Sequence, residues 1–474
     1  MTPEDETAAA RLHAGFAAAR AAHLAAPMPP AALRIDRLRR LEAALLAREE
    51  DLVAAMRADF GHRSAFEARV FDVTFPLGEI RSNRRHLRRW MRARRVGMPL
   101  YLWPARGRVL PQPKGVAGVI APWNFPVYLT LAPVAAALAA GNRVLVKPSE
   151  LTPRTSALLA RMVEGAFAPD ELSVHPGGVE LARAFADLPF DHLLFTGSTR
   201  VGRQIAQAAA RNLVPVTLEL GGKSPAILGL RGDMARAARR IAFGKVMNAG
   251  QVCVSPDYAL VPRARVAEFA DLVAAAIAGF FPQGPASPDF TAILTDDHLA
   301  RLHAMLDEAR ARGAGIREIL PPGAGPAPGR LTPTLVLDPP LDGRLMREEI
   351  FGPILPILPY DSPEEARAMI LARPVPLALY LFTEDRAERA FWLEGTRSGG
   401  VCVNETVFHV AAHPLPFGGL GESGMGAYHG RTGFDTFSHL RPVLDQPRLN
   451  GGFLFDPPGG RLRRIVAQLL RRMV

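Results

Sequence analysis

The chain has 474 residues, 48% of them hydrophobic and 22% charged, and only two cysteines. That is a globular composition long enough for two domains, and it excludes a disordered, collagen-like or disulfide-stapled chain. A net charge of +11 invites a nucleic-acid partner, but arginine carries almost all of it, the only lysines being Lys114, Lys147, Lys223 and Lys245; this is the pattern of base-composition bias, and no nucleic acid is expected.

The start, "MTPEDET", leads into an Ala/Arg helix with no apolar h-region, and no uninterrupted apolar run reaches the roughly 18 residues of a membrane span. A cytoplasmic protein is expected. Helices are predicted over about 5–25, 30–57 and 64–95. The last carries Arg81, Arg84, Arg85, Arg88, Arg92 and Arg95 at helical spacing, read as a solvated face because no aromatic residues suited to base stacking accompany it.

From residue 115 short β-branched runs alternate with helical segments. Strands are predicted at 116–121, 142–147, 172–175, 191–195 and 215–220, with helices at about 126–140, 153–167, 179–186 and 199–211. This alternation predicts an α/β fold with a doubly wound parallel sheet. A second series follows: helix 233–248, strand 257–262, helices 264–280 and 296–312, strands 334–338 and 354–359, helix 362–372, strand 376–382, helix 384–396 and strand 400–403. It reads as a second α/β domain, with "PPGAGPAPGR" (321–330) as a loop inside it.

Several strand ends carry polar or glycine-rich segments. In "FTGSTRVG", Gly197, Ser198 and Gly202 lead into a helix whose free N–H groups and dipole suit a phosphate, although a plain βα turn has the same look. "KPSE" puts Lys147 and Glu150 at the carboxyl end of the second strand, as a donor and an acceptor for ribose hydroxyls or as a simple ion pair. "PWNFP" holds Asn124 between prolines, where a fixed amide suits an oxyanion hole and also suits a turn. "LELGGK" ends the fifth strand with Glu219, either a carboxylate in apolar surroundings fit to act as a base or an ordinary exposed glutamate. Cys253 follows in "GQVCVSPD", either a nucleophile or a packed small hydrophobe. Cys402, inside the strand-like "GGVCVN", reads as core. "EEIFGPILP" (348–356) and "PFGGLGESGMGAYHG" (416–430) read as shaped loops backing a site.

Taken in order, these segments resemble the aldehyde dehydrogenase superfamily over roughly residues 30 to 440. The ending "SGMGAYHGRTGFDTFSH" resembles its class 3-type branch, and "DFGHRS" with "NETVFHVAAHPLPFGG" is similar to bacterial coniferyl aldehyde dehydrogenases. The resemblance implies a Rossmann-like NAD domain over 1–217 with an arm near 100–114, and a catalytic domain over 218–408. A return to the NAD domain with an oligomerisation segment then occupies 409–445, and a tail 446–474. It implies Cys253 as nucleophile, forming a thiohemiacetal and then a thioester, with Asn124 and the Cys253 N–H holding the oxyanion and Glu219 activating water. Lys147 and Glu150 would hold the adenosine ribose and the Ser198 loop the pyrophosphate. Glu349 and Phe351 would hold the nicotinamide ribose, and Pro122, Trp123, Leu220 and Gly221 would be further cofactor contacts. No metal is implied. Glu150 should repel a 2′-phosphate, so NAD is expected, with NADP possible.

Phe125, Tyr128, Phe408 and His409 are candidates for an aromatic-tolerant tunnel or for core. The substrate expected is an aromatic aldehyde such as coniferaldehyde, or a medium or long aliphatic one. Two rivals are an enzyme passing the thioester to coenzyme A, against which Glu219 argues, and an idle binding protein, against which the intact Cys253, Glu219 and Asn124 argue. A homodimer is implied, with 101–113 and 433–445 as candidate exchange surfaces. "GRLRRIVAQLLRRMV" (460–474) forms an amphipathic helix too short to span a bilayer, packed on the protein or a partner, or else touching anionic lipid.

Overall fold

The computed structural model describes residues 3–457 and 460–473. Its first sheet runs, in spatial order, Gly424–Met425, Val216–Glu219, His192–Thr196, Val116–Ile120, Arg143–Lys147 and Leu172–Val174. The last five are parallel and match the expected strands to within one residue at either end. Their near-continuous apolar sequences follow from helices on both faces; every residue of Val116–Ile120 is buried. The helix Tyr128–Ala140, buried along its whole length, closes with Gly141 at φ 97°.

The second sheet orders Gly315–Glu318, Thr334–Leu337, Ile354–Tyr360, Tyr258–Pro262, Pro225–Leu228, Ala378–Phe382 and Gly400–Val403, parallel except for its first edge strand. Two strands were not foreseen. Gly315–Glu318 is largely exposed and lacks an apolar pattern, and Pro225–Leu228 begins at a proline, tolerated at a strand's first residue, three residues after a glycine pair. Because Val216–Glu219 stays in the first sheet, the expected cut between 217 and 218 passes through a strand. The chain returns to that sheet at Gly424–Met425, which pairs with Leu218 and Glu219.

A third, antiparallel sheet joins Arg94–Val96, Arg106–Pro113 and Ser438–Asp445, so the two candidate exchange segments are partners in one element, paired from Arg106↔Asp445 to Pro113↔Ser438. The helix expected over 64–95 instead has three parts: one turn at Ala65–Glu67, wide π-turns at Ala68–Thr74, and a regular helix Phe75–Trp90. Arg92 and Arg95 therefore lie outside it, and Arg81 and Arg84 both bind Glu42, as a solvated face would. The 30–57 segment breaks at Arg48 into Ala31–Ala47 and Glu49–Asp59. The tail helix Arg461–Met473 forms beside the turn Leu100–Leu102, with Ile465 exposed. Among the described residues, no helix is long and apolar enough to cross a membrane.

Candidate active site

The first sheet puts Val116–Ile120 between the strands His192–Thr196 and Arg143–Lys147, which the chain reaches in opposite directions from it. A crevice opens at the carboxyl ends of strands at such a switch point. Ile120 is in register with Lys147 and Phe195, and Thr196 with Glu219. Four of the segments singled out in the sequence therefore leave the sheet along one edge.

On the outer part of this edge, the buried Lys147 holds the exposed Glu150, with Nζ 2.5 Å from the carboxylate. Ser198 is exposed and caps the helix Thr199–Arg211 by accepting from the Val201 N–H. Glycine at 202 lets that helix pack on the strand end, since a Cβ there would lie 2.6 Å from a Leu220 methyl. Gly197 lies equally tightly against the Phe195 ring.

Nearer the second domain, Trp123, which follows Pro122, stacks on His298 at 5.1 Å and meets Phe351 edge-on at 5.4 Å. Phe351 adopts φ 52°, a conformation unusual for a bulky residue and common where function holds the backbone. The Glu349 carboxylate fills the space above Gly221, where a Cβ would come within 2.0 Å of it, and accepts from the Gly222 N–H. Burial pushes its carboxyl up to about 8, with Asp257 adding to the rise. One Glu349 oxygen finds no partner among the described residues. This row of an orphaned carboxylate, a capped helix start and a Lys–Glu pair suits the hydroxyls and phosphates of a dinucleotide. Two contributors were not foreseen. His298 and Arg301 sit on the amphipathic helix Asp296–Ala311, where Arg301 donates to the carbonyls of Glu349 (3.1 Å) and Ile350 (2.5 Å). Nothing in a helix of mixed polarity marks such residues beforehand.

The other side of the crevice carries Cys253, Glu219 and Asn124. Before Cys253, Asn248 (φ 47°), Ala249 (φ 52°) and Gly250 (φ 75°) form a left-handed run, which asparagine and glycine tolerate and which costs about 1–2 kcal/mol at Ala249. Gly250 can carry no side chain, because the Gly352 carbonyl occupies that space. The run turns the chain so that the backbone N–H groups of Cys253 and Val254 point at the sulfur. Burial pushes this thiol up to about 12, with Glu349 and Glu219 contributing in turn. Glu219, at its strand end, is buried, and neither carboxylate oxygen has a hydrogen-bond partner among the described residues. Desolvation holds its carboxyl well above the usual range. Asn124 is buried and donates from Nδ2 to the Gln251 carbonyl at 3.1 Å, two residues before the thiol.

Cys253 also lines a pocket walled by Phe71, Phe75, Phe125, Tyr128, Phe408 and Phe417. Three of the four tunnel candidates are here. His409 is not: its Nδ1 lies 3.2 Å from Cys402 Sγ, and its ring packs between Tyr380 and Phe417. Phe71 and Phe75 went unnoticed because they belong to a stretch read as one ordinary helix.

The aldehyde dehydrogenase family profile matches residues 4–443. The chain is 46% identical over 463 residues to a probable coniferyl aldehyde dehydrogenase of Pseudomonas aeruginosa, covering 98% of this chain and 97% of that one. It is 47% identical to a second so named from Caulobacter vibrioides, over 96% and 95% of the two chains. Among solved structures, the substrate-bound state of Staphylococcus aureus AldH superposes with a TM-score of 0.91 at 36% identity, covering 97% of this chain and 99% of that one.

Proposed function

The chain belongs to the aldehyde dehydrogenase family and oxidises aldehydes to acids with NAD(P), and on that footing we propose that its substrate is an uncharged aromatic aldehyde of the coniferaldehyde kind. The observation that carries this is the pocket beside Cys253, built from five phenylalanines and a tyrosine and apolar almost throughout. Flat rings pack edge-on or offset against such walls, and each good aromatic pair adds about 0.5–1.5 kcal/mol beyond burial. Specificity constants for coniferaldehyde and for aliphatic aldehydes of about eight to twelve carbons test it. The aromatic aldehyde should lead by about tenfold, and an equal lead for the aliphatic series would overturn the choice.

In the chemistry we assign, the Cys253 thiolate attacks the carbonyl carbon and its electron pair passes to oxygen. The Cys253 N–H and the Asn124 amide hold the resulting oxyanion, worth about 3–4 kcal/mol per donor in comparable sites. When the oxyanion pair re-forms the C=O bond, the C–H bond breaks, its hydride leaves and a Cys253 thioester remains; a bound nicotinamide would supply the acceptor for that hydride. Glu219 then takes a proton from water, whose oxygen attacks the thioester and releases the acid and the thiol. Glu219 is suited to this because, desolvated and without a hydrogen-bond partner, its carboxylate is a stronger base than one in water.

Lys147 with Glu150, and Glu349 with Phe351, would hold the two riboses, and Ser198 the pyrophosphate. Pro122, Trp123, Gly197, Gly202, Leu220 and Gly221 would shape the cleft between them. Glu150, exposed and negative, faces a 2′-phosphate unfavourably, so NAD is preferred over NADP; a specificity constant favouring NADP would reverse this. The three-stranded sheet is the proposed homodimer contact, checked by light scattering. The tail helix rests on the protein or its partner, and liposome co-sedimentation of full-length and Gly459-truncated chains checks for lipid contact.

A further inference from the structure

The segment Ala65–Thr74 lies almost two hundred residues before the nucleophile, yet its side chains reach both halves of the site. Phe71, with the adjoining Phe75, walls the aldehyde pocket. Asp72 Oδ1 accepts from the Val127 and Tyr128 N–H groups at 3.1 and 3.2 Å, just after Asn124. Its other oxygen binds the fully buried Arg63 at 2.6 Å, whose guanidinium lies over the Phe125 ring. Glu67 faces the opposite wall. Both its oxygens accept from the Asn248 backbone N–H at 3.1 Å, and one also accepts from the Thr291 hydroxyl at 3.1 Å.

Asn248 is the residue through which this grip passes on. Its side-chain amide donates to the Asn124 carbonyl at 3.1 Å and to the Gln251 carbonyl at 3.2 Å. The Gln251 carbonyl is also the acceptor that orients the Asn124 amide. Alanine rarely adopts the left-handed backbone that Ala249 holds after Asn248, so contacts around the loop hold it there. The π-turns of Ala68–Thr74 belong to the same device, since such widenings re-aim side chains and recur at functional sites.

We propose that Glu67 is a positioning residue for the oxidation: by holding the Asn248 N–H it fixes the distance between the Cys253 sulfur and the Asn124 amide. The inference rests on the catalytic reading of those two residues. Glu67 touches neither aldehyde nor cofactor in this scheme and acts only through Asn248.

The test uses the full chain and two variants. Glu67→Ala removes the acceptor, and Glu67→Gln keeps its shape and one neutral acceptor. Three quantities are read: kcat per active site, KM for NAD, and the rate of Cys253 alkylation by iodoacetamide. Misplacement of reacting groups by about 1 Å costs on the order of 10²-fold in rate. Glu67→Ala should therefore lower kcat about 30- to 100-fold and alter the alkylation rate, with KM for NAD within about twofold of the parent. Glu67→Gln should fall about three- to tenfold. If both variants lose thermal stability but keep the parent's kcat per active site and its alkylation rate, Glu67 is only a structural support and the proposal fails. Undiminished turnover in Cys253→Ala would instead remove the catalytic reading beneath it, whatever the Glu67 variants do.

Discussion

The two cysteines sit in surroundings that look interchangeable by chemistry and differ by architecture. Both thiols are raised by burial, Cys253 to about 12 and Cys402 to about 11. It is Cys402 that has an imidazole within reach, His409 at 3.2 Å, the arrangement usually sought around a nucleophile. Yet Cys402 lies within the regular strand Gly400–Val403, and burial lowers its His409 partner to about 4, leaving a neutral ring. Cys253 has no imidazole partner among the described residues. It has instead a strained loop that aims it, two N–H groups at its sulfur, two carboxyl groups that raise it, and an apolar pocket on which it opens. On the proposed reading, access and aim, rather than an adjacent base or a ready thiolate, set Cys253 apart from Cys402.

Exchanging each sulfur in turn would break or sharpen this contrast most strongly. Cys253→Ala should lower turnover by about 10⁴-fold or more, the scale seen when a covalent nucleophile is removed, while NAD still binds. Cys402→Ala should keep turnover within about twofold. Steady-state NADH formation at 340 nm reads both, and a reversed pattern would move the nucleophile to the strand. The next effect concerns the carboxylate. Glu219→Gln should slow thioester hydrolysis by about 10²- to 10³-fold, within the range for loss of a general base. The first turnover should survive, so stopped flow should show a burst of about one NADH per site followed by a slow phase. Loss of the burst together with the steady rate would place Glu219 earlier, at removal of the thiol proton.

Much of this architecture was legible because it is local. The five parallel strands announce themselves as β-branched runs, and Asn124, Lys147, Ser198 and Glu219 all fall at strand ends, where an α/β sheet opens its crevice. What stayed hidden depends on contacts between distant segments. Glu67 looks like any helical glutamate until Asn248 folds against it, and His298 and Arg301 until Trp123 and Glu349 do. Of the two roles left open for His409, tunnel or core, the structure takes the packed one, because adjacency to Phe408 in sequence does not decide which way a side chain turns in a loop. The strand Arg94–Val96 escaped because an arginine stripe at helical spacing continues through it.

The smallest effect probes the sulfur without turnover. A thiol held near 12 is almost wholly protonated at neutral pH, and only the thiolate alkylates. The folded value is raised, so the thiolate fraction, and with it the alkylation rate of Cys253 in the cofactor-free protein, should climb from pH 7 to 10 without levelling, about tenfold per pH unit away from the titration of its neighbours. Deprotonation of Glu349, raised to about 8, adds negative charge beside the sulfur in the middle of that range and should flatten the climb there. Glu349→Gln removes this bend, and its rate at pH 9 should exceed the parent's by a few-fold. Cys402, with no opening comparable to the pocket at Cys253, should react more slowly at each pH. A plateau for Cys253 near pH 7 to 8 would mean that the thiolate is already stabilised before any cofactor binds, and activation would then belong to the loop itself rather than to the assembled site.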